Sequence, residues 1–379
     1  MIPHTRRKAL FLDQYGHIGG GQRILLDLVS GLSERDWTIT VLCPKGPLQE
    51  KVTKAGGRTL TLDLPSMRNG AKSLRDYLRG YFAGRRAAKK FAALAKEQDL
   101  IVVNGLRTIV AARQWLRTMG KPTVLYLHGK YSGLQRLLLS SLLRSGKVAA
   151  IAPSPHIAAP FGKRNNLFVV PNWVSPEFLS LPAMPGLLRS ALRLADDLPL
   201  VLIPGRYSLN KGQLLLLAAM EECKPLSFHL VFAGAALFER SGREVEQTLK
   251  RAAIHAPDRI HLIHWQSPAP ALYDDADLVV VPSQWEEPFG LTAIEAMARG
   301  RPLLVTRRGM LPDIAGNGQF AEVVEPEPRA LLGAVQDFFR HRTHWQTRGQ
   351  AAREHIRKHY HPDIGVQKVA QLFVDLLSR

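Results

Sequence analysis

The sequence predicts an α/β protein with two doubly wound domains, and three observations support this. Short apolar runs alternate with longer helical patterns along the chain, which is typical of strand-helix units around a mostly parallel sheet. A proline-rich stretch at 176–185 interrupts the alternation once. A length of 379 residues with 46% hydrophobic content suffices for two cores. We therefore predict a first domain at 1–180, joined by a C-terminal helix at about 362–379, and a second at 186–360.

Seven apolar runs predict the strands of the first domain. The first two lie at 9–13 and 38–43, and an apolar-periodic helix from Gln22 to Leu32 separates them. The remaining strands are predicted at 58–62, 100–103, 122–127, 148–152 and 167–171.

The second domain repeats the pattern, with strands predicted at 200–203, 228–233, 260–263, 278–281 and 303–305. Ligands of such sheets bind beyond the carboxyl ends of the strands. Two domains of this type that face each other would place the binding site in the cleft between them.

Composition excludes several classes of protein. No uncharged apolar run reaches the roughly 18 residues of a membrane-spanning helix. The apolar run 9–12, which follows three basic residues, is too short for the core of a signal peptide. Cys43 and Cys223 are the only cysteines, so a disulfide framework and a cysteine zinc site are excluded. We expect a cytoplasmic protein.

The net charge of +19 is concentrated in the first half of the chain. Residues 1–185 hold 28 Lys and Arg against 10 Asp and Glu, whereas residues 186–379 hold 23 against 22. The densest basic segment, 68–90, carries Tyr77, Leu78, Tyr81 and Phe82 at helical spacing. Two interpretations stand: a surface that docks on anionic lipid, or a solvated basic helix whose aromatic residues face the core. Nucleic-acid binding is disfavoured because no recognised motif accompanies the charge.

Two short motifs suggest phosphate binding. Gly19, Gly20 and Gly21 lie between the first strand and a helix, where free N–H groups favour an anion, although such a turn is often only a turn. Arg206 and Lys211, in GRYSLNKG, follow the first strand of the second domain. Two cations beside a helix N-terminus suit a diphosphate, although basic surface residues are common.

The most specific motif is EEPFGLTAIEAMARG at 286–300. Glu287 lies in a loop after a strand, Gly290 begins a helix, and Glu295 lies within that helix. Both carboxylates can accept hydrogen bonds from sugar hydroxyls. The helix start offers its backbone to phosphate oxygens through Phe289, Gly290, Leu291 and Thr292.

These motifs together resemble the retaining glycosyltransferases of family 4, which have the GT-B fold. Glu287 and Glu295 within the long motif and the two basic pairs of GRYSLNKG carry the resemblance. The three glycines resemble the family's N-terminal glycine loop, and Val170-Pro171-Asn172 resembles its signal before the interdomain linker. The segment 367–377 resembles the family's last helix, which crosses back onto the N-terminal domain.

The resemblance implies a role for each site residue. Arg206 and Lys211 would bind the diphosphate of the donor, and Glu295 would hydrogen-bond its ribose. Glu287 would hold hydroxyls of the transferred sugar. His128, at the end of a strand, matches the family's active-site histidine near the sugar, whereas a lone histidine is more often structural.

Four positions depart from the family's pattern. Gln22 stands where an acid is usual, and Trp173 where a glycine follows Pro-Asn. The triplet 264–266 replaces a turn that contains glycine, and Gly309-Met310 replaces a Gly-Gly pair.

The predicted activity is transfer of a sugar from a nucleoside-diphosphate sugar with retention of the anomeric configuration. No cofactor or bound metal is required, and the chain has no Asp-x-Asp triplet. The donor is expected to bind mostly the second domain and the acceptor the first. The acceptor is expected to be a glycan or a lipid-linked compound, anionic or at an anionic membrane, in polysaccharide or lipopolysaccharide synthesis. The alternatives are a small soluble acceptor and a non-catalytic basic binding module.

Overall fold

The computed structural model describes residues 6–64, 74–194, 197–222, 226–236, 240–264 and 270–378. Its chain divides into two compact units, residues 1–172 with 362–379 and residues 173–361. Cys223, the first six residues of the basic segment (68–73) and residues 265–266 lie outside the described residues. No helix in the described ranges combines the length and hydropathy of a membrane-crossing segment.

The first unit contains a seven-stranded parallel sheet with the order β3-β2-β1-β4-β5-β6-β7. Its buried central strands are continuous apolar runs, as parallel sheets covered on both faces require. The strands are β1 Arg7–Asp13, β2 Trp37–Cys43, β3 Arg58–Thr61, β4 Leu100–Asn104, β5 Thr123–Tyr126, β6 Val148–Ala152 and β7 Leu167–Val169.

Helices pack on this sheet in two groups. The C-terminal helix α17 packs against α1, and its Phe373 contacts Phe11 and Trp37. Residues of α3, α5 and α6 share a second core with β1, β4 and β5. The helices of this unit are α1 Gly20–Ser33, α2 Pro47–Lys54, α3 Leu74–Lys90, α4 Ala92–Lys96, α5 Ile109–Met119, α6 Gly133–Arg144, α7 Pro155–Ala158 and α17 Pro362–Leu377.

The second unit has a six-stranded parallel sheet with the order β10-β9-β8-β11-β12-β13. Two apolar cores contain alternate residues of its central strands. Its strands are β8 Leu200–Pro204, β9 His229–Gly234, β10 Ile260–His264, β11 Leu278–Val281, β12 Leu303–Thr306 and β13 Glu322–Val324.

Nine helices of the second unit lie within the described ranges. They are α8 Glu177–Ser180, α9 Leu187–Ala191, α10 Gln213–Glu221, α11 Arg240–His255, α12 Pro270–Asp274, α13 Leu291–Ala298, α14 Leu311–Ile314, α15 Pro328–Arg340 and α16 Arg342–His359.

The segment expected to join the domains belongs to the second unit in this structure. Phe178 is 1% exposed and lies in a core of that unit. The guanidinium of Arg299 donates hydrogen bonds to the carbonyls of Phe178, Leu181 and Pro182. Arg299 also makes a bidentate ion pair with the buried Asp274, at 2.7 and 2.8 Å. These contacts bind the proline-rich stretch to the second unit.

Most predicted strands are present with shifts of one or two residues at their ends. The three-residue strand β13 at the sheet edge was not predicted, because a half-buried Glu-Val-Val carries too little periodicity to distinguish it from a loop.

Each sheet reverses its direction of winding at one place, next to its first strand. In the first sheet β1 lies between β2 and β4, and in the second β8 lies between β9 and β11. At such a switch point the connections leave to opposite sides, which opens a crevice outside the strand ends. The topology therefore places candidate ligand sites after β1 and β4, and after β8 and β11.

Candidate active site

In the first unit, the switch point holds a buried carboxylate. Asp13 ends β1, is 0% exposed, and is paired in register with Asn104 at the end of β4. Its oxygens accept hydrogen bonds from Asn104 Nδ2 at 2.6 Å, from Gln22 Nε2 at 3.0 and 3.1 Å, and from the Tyr15 N–H at 2.8 Å. Burial raises the pKa of the Asp13 carboxyl to about 6, although these donors oppose the rise.

The amide of Asn104 connects Asp13 to His128. Because Nδ2 donates to the carboxylate, Oδ1 faces the His128 Nε2, at 2.5 Å. An acceptor at that place requires Nε2 to carry the proton, so Nδ1 of a neutral ring keeps its lone pair. Burial lowers the pKa of the His128 imidazole to about 4, which keeps the ring neutral near pH 7.

The glycine turn contributes close packing. Gly20 and Gly21 begin α1, and a Cβ added at Gly21 would lie 3.1 Å from Cγ of the His128 ring. The ring also stacks on Tyr126, with centroids 4.8 Å apart. Glycine at position 21 therefore lets α1 approach the histidine.

Gln22 explains one departure from the family's pattern. Its Oε1 accepts a hydrogen bond from the Gly19 N–H at 3.1 Å, while its Nε2 donates to Asp13. A carboxylate at position 22 would face the buried Asp13 carboxylate as a like charge, whereas the amide supplies a donor.

In the second unit, the switch point brings Lys211 and Glu287 together. Lys211 follows β8, Glu287 follows β11, and Lys211 Nζ lies 2.7 Å from Glu287 Oε1. The buried Ser283 donates its hydroxyl to the same oxygen at 2.5 Å. Burial alone would raise the pKa of Glu287, but Lys211 and Ser283 hold it below its usual value, so the carboxylate is ionised near pH 7.

Two glycines allow the loops around this pair to approach each other. Gly212 has φ of +72°, and a Cβ there would lie 1.8 Å from the carbonyl oxygen of Pro282. Gly309 has φ of +56°, and a Cβ there would lie 2.2 Å from the carbonyl oxygen of Glu287. The Met310 N–H donates to that same carbonyl at 3.0 Å. Gly309 and Met310 therefore position the loop of Glu287.

The side chains of three other predicted site residues of the second unit, Arg206, Glu295 and Phe289, differ in their exposure to solvent. Arg206 is half-buried, and its carbonyl accepts a hydrogen bond from the Gln213 side chain at 2.9 Å. Glu295 is 2% exposed and accepts a hydrogen bond from the Tyr273 hydroxyl at 2.6 Å. The Phe289 side chain lies in the core against Tyr360, so it is not available to a ligand.

The start of α13 has the form expected for an anion site. Gly290 is its N-cap with φ of +112°, and Leu291 and Thr292 are its first two residues. N–H groups at such positions have no partner within the helix and point along its axis.

The structure adds four residues to the predicted sites: Asp13, Asn104, Ser283 and Tyr273. Of these, the sequence pattern predicts only that Asp13 ends a strand. Asp13, Asn104 and Ser283 share one signal, a polar residue at or just after a parallel strand next to the switch point, but strand order is needed to recognise it. Tyr273 lies in α12 and carries no such signal. No group of three His, Cys, Asp or Glu suited to a metal occurs within the described residues.

Comparisons with known proteins agree with this architecture. Residues 18–178 match the sequence profile of Glycosyltransferase Family 4, and residues 187–355 match that of Glycosyl transferases group 1. The lipopolysaccharide 1,2-N-acetylglucosaminetransferase of Salmonella typhimurium is 34% identical over 146 residues, 35% of this chain and 36% of that protein. The D-inositol 3-phosphate glycosyltransferase of Xylanimonas cellulosilytica is 36% identical over 161 residues, 39% of this chain and 36% of that protein. The chain thus spans about a third of the length of these curated relatives.

Solved structures agree over nearly the whole chain. Anabaena HepE, solved with UDP and glucose, superposes with a TM-score of 0.80 at 22% identity and covers 98% of this chain and 100% of its own. WaaG, a glycosyltransferase involved in lipopolysaccharide biosynthesis, superposes with a TM-score of 0.67 at 16% identity and covers 95% and 98%.

The fold is GT-B, built from two parallel-sheet α/β domains. The chain belongs to glycosyltransferase family 4.

Proposed function

We propose that the protein transfers a sugar from a nucleoside-diphosphate sugar to an acceptor, with the donor bound to the second unit. The carrying observation is the Lys211–Glu287 pair beside the N-terminus of α13, at the switch point of the sheet. A fixed cation and oriented N–H groups suit a diphosphate, and an ionised carboxylate suits sugar hydroxyls. HepE has been solved with UDP and with UDP-glucose, which supports a donor of this class.

The proposed roles follow the geometry. Arg206, Lys211 and the N–H groups of Leu291 and Thr292 bind the diphosphate and stabilise the charge that develops on it as it departs. Glu295 accepts hydrogen bonds from the ribose, and the Tyr273 hydroxyl, which donates to its Oε2, orients the carboxylate.

The reaction we propose retains the configuration at the anomeric carbon. Glu287 is engaged by Lys211 and Ser283, so it acts as a hydrogen-bond acceptor rather than as a nucleophile. The anomeric carbon loses its bond to the phosphate oxygen and gains one to the acceptor oxygen on the same face, and the acceptor proton moves to the departing phosphate. Neutral His128 accepts a hydrogen bond from the substrate through Nδ1 and does not transfer a proton. A trapped glycosyl-enzyme adduct would contradict this route.

The donor proposal is tested by thermal shift with UDP, GDP, ADP and dTDP in the presence of chelator. A nucleotide at 100 times its dissociation constant adds about 2.7 kcal/mol to the stability of a protein that binds it. We expect one nucleotide to stabilise the wild type, and Glu295→Gln, which preserves packing, to reduce the shift. Glu354→Gln, an exposed acid of the same unit, is the matched control. If no nucleotide stabilises the wild type, the donor proposal is wrong and a non-catalytic binding module gains support.

We also propose that the first unit docks on an anionic membrane through the outer side of α3, α5 and α6. Leu78, Tyr81 and Phe82 of α3 are 48%, 44% and 55% exposed. Leu134 and Leu137 of α6 are 73% and 58% exposed. The exposure of Tyr81 and Phe82 thus supports the docking interpretation, because the core side of α3 is formed by Ala83 and Ala87 instead. The side chain of Tyr77 is not among those that the structure describes.

The charge of these three helices matches anionic lipid. Asp76 is their only acid in the sequence. Against it stand Arg75, Arg79, Arg85, Arg86, Lys89, Lys90, Arg113, Arg117, Arg136 and Arg144. Each basic residue near an anionic bilayer contributes about 1 kcal/mol. A membrane-bound glycan or lipid-linked acceptor, in lipopolysaccharide or polysaccharide synthesis, fits such a surface.

Vesicle flotation tests this surface. We expect phosphatidylcholine vesicles that contain phosphatidylglycerol to recruit the protein, and vesicles of phosphatidylcholine alone to recruit it far less. Arg79→Glu with Arg86→Glu should lower recruitment at least about 30-fold, the equivalent of two lost attractions. Arg340→Glu with Lys358→Glu, two exposed sites of the second unit, changes the net charge equally. Equal recruitment by both vesicle types would instead support a small soluble acceptor.

A further inference from the structure

A cavity of about 270 Å³ lies in the first unit beside His128. At about 30 Å³ per water molecule in the liquid, it has room for a group the size of a monosaccharide. Two cations, Arg107 and Lys130, belong to its lining, and no carboxylate does. Neutral amide, phenol and imidazole groups supply the other polar side chains, among them Gln14, Tyr131 and His128.

Arg107 is held at this cavity by Gln14. Its backbone N–H donates to Gln14 Oε1 at 3.3 Å, and its Nη1 donates to the Gln14 carbonyl at 3.4 Å. Gly105 makes room for this arrangement, because a Cβ there would lie 2.5 Å from Cδ of Gln14. Burial lowers the pKa of the Arg107 guanidinium, so its charge is partly desolvated. An anion bound here would offset that cost.

His128 gives the same cavity a hydrogen-bond acceptor. Its Nε2 donates to Asn104, and within the described residues no side chain or backbone group bonds to its Nδ1. A neutral imidazole nitrogen with a lone pair accepts a hydrogen bond from a hydroxyl group. The cavity therefore combines a place for a hydroxyl with two positive charges.

We propose that this cavity binds the acceptor substrate, and that the acceptor is a hydroxylated compound with an anionic oxygen group held by Arg107 and Lys130. The hydroxyl of the acceptor donates to His128 Nδ1. This inference rests on the proposed function and narrows its substrate class. Asp13 lies behind Gln22 and Asn104 and is not part of the lining, so its amide partners separate its charge from the bound anion.

The competing occupant is the diphosphate of the donor, because Gly21 lines the same cavity. The test therefore begins with protein saturated by the nucleoside diphosphate found in the thermal-shift experiment. Glucose 6-phosphate, glucuronate and glucose are then titrated by calorimetry. We expect glucose 6-phosphate to bind at least about tenfold more tightly than glucose, the effect of one charge-assisted hydrogen bond. Glucuronate distinguishes a general anion site from a phosphate site.

Variants of the two lining cations test whether Arg107 and Lys130 bind the anionic group. Arg107→Gln with Lys130→Gln should remove the preference for glucose 6-phosphate over glucose and leave nucleotide affinity unchanged. Arg113→Gln with Arg136→Gln, exposed cations outside the lining, should change neither. Arg107→Lys should restore part of the preference, which a folding defect would not permit.

Two results would overturn the inference: equal binding of glucose and glucose 6-phosphate, or a loss of nucleotide affinity in the Arg107–Lys130 double variant. The second would assign these cations to the donor. Sugar phosphate binding by a wild type that binds no nucleotide would contradict the proposed donor and still support the anion site.

Discussion

The ion pair between Lys211 and Glu287 allows a quantitative test of the second switch point. The side chains are 23% and 5% exposed, and Nζ lies 2.7 Å from Oε1. Lys211→Met leaves a buried carboxylate that still accepts a hydrogen bond from Ser283 but has lost its cation. Removing one partner of a buried ion pair costs about 3–5 kcal/mol of stability. Because Lys211 is partly exposed, we expect a loss near the lower end of this range, about 3 kcal/mol. In a unit of this size that corresponds to a fall in melting temperature of about 6–12 °C.

The double variant Lys211→Met with Glu287→Gln separates the pair from the rest of the site. Removing both charges leaves no buried ion without a partner, so the double variant should be more stable than Lys211→Met by about 2 kcal/mol. Differential scanning calorimetry of the whole chain measures this, with the transition of the second unit identified by its shift on nucleotide binding. Strict additivity of the two single changes would refute the coupling.

The pH dependence of Lys211→Met has a defined sign. In the wild type the pKa of Glu287 is lowered, so its contribution to stability is present above the ordinary value of 4.5 and is lost in acid. Without Lys211, burial should raise the pKa of the Glu287 carboxyl. Protonation at lower pH then removes the unpaired buried charge and restores part of the variant's stability. The gap in melting temperature between wild type and Lys211→Met should therefore narrow between about pH 7.5 and pH 5.5. A constant gap would mean that Glu287 is not the group left uncompensated.

Three further changes probe the chemistry. Lys211→Ala should lower kcat/KM about 30-fold or more, the loss of about 2 kcal/mol of transition-state stabilisation; unchanged turnover would exclude Lys211 from the diphosphate site. Asp13→Asn should lower activity about tenfold at pH 7.5, because Asn104 or Gln22 then faces a second donor. The raised pKa of Asp13 predicts that kcat/KM of the wild type falls below about pH 6, and Asp13→Asn should abolish this fall. If the fall persists in Asp13→Asn, another group causes it. Gly21→Ala places a Cβ 3.1 Å from the His128 ring and should lower kcat with little change in nucleotide affinity, measured by calorimetry.

Local patterns in the sequence predicted the elements that depend on local signals. Continuous apolar runs identified the central strands because both faces of a parallel sheet are covered. The residues Lys211 and Glu287 were selected because each follows such a strand. Their ion pair was not predicted, because it joins residues 76 positions apart and depends on β8 and β11 being neighbours.

The network around His128 shows the same limit more strongly. Asp13 and Asn104 are 91 residues apart, and each is unremarkable at the end of an apolar run. Only the strand order places them side by side, since β4 pairs with β1 rather than with β3. The sequence likewise does not predict whether Tyr81 and Phe82 face solvent or the core. A helical period shows which residues share a face of a helix, but not which face packs against the sheet.

The two switch points hold buried carboxylates of opposite character. Glu287 has a cation at 2.7 Å and a lowered pKa. The hydrogen-bond donors to Asp13 among the described residues are neutral, and its pKa is raised to about 6. Environments that shift the pKa values of two carboxyl groups in opposite directions indicate different roles for the two groups. A permanently ionised Glu287 suits a site that holds charge and hydroxyl groups in place at any physiological pH. The pKa of Asp13 lies closer to neutrality, and Asn104 connects this carboxyl to His128 by hydrogen bonds. The pH dependence of the enzyme should therefore arise in the first unit, even though the proposed diphosphate site lies in the second.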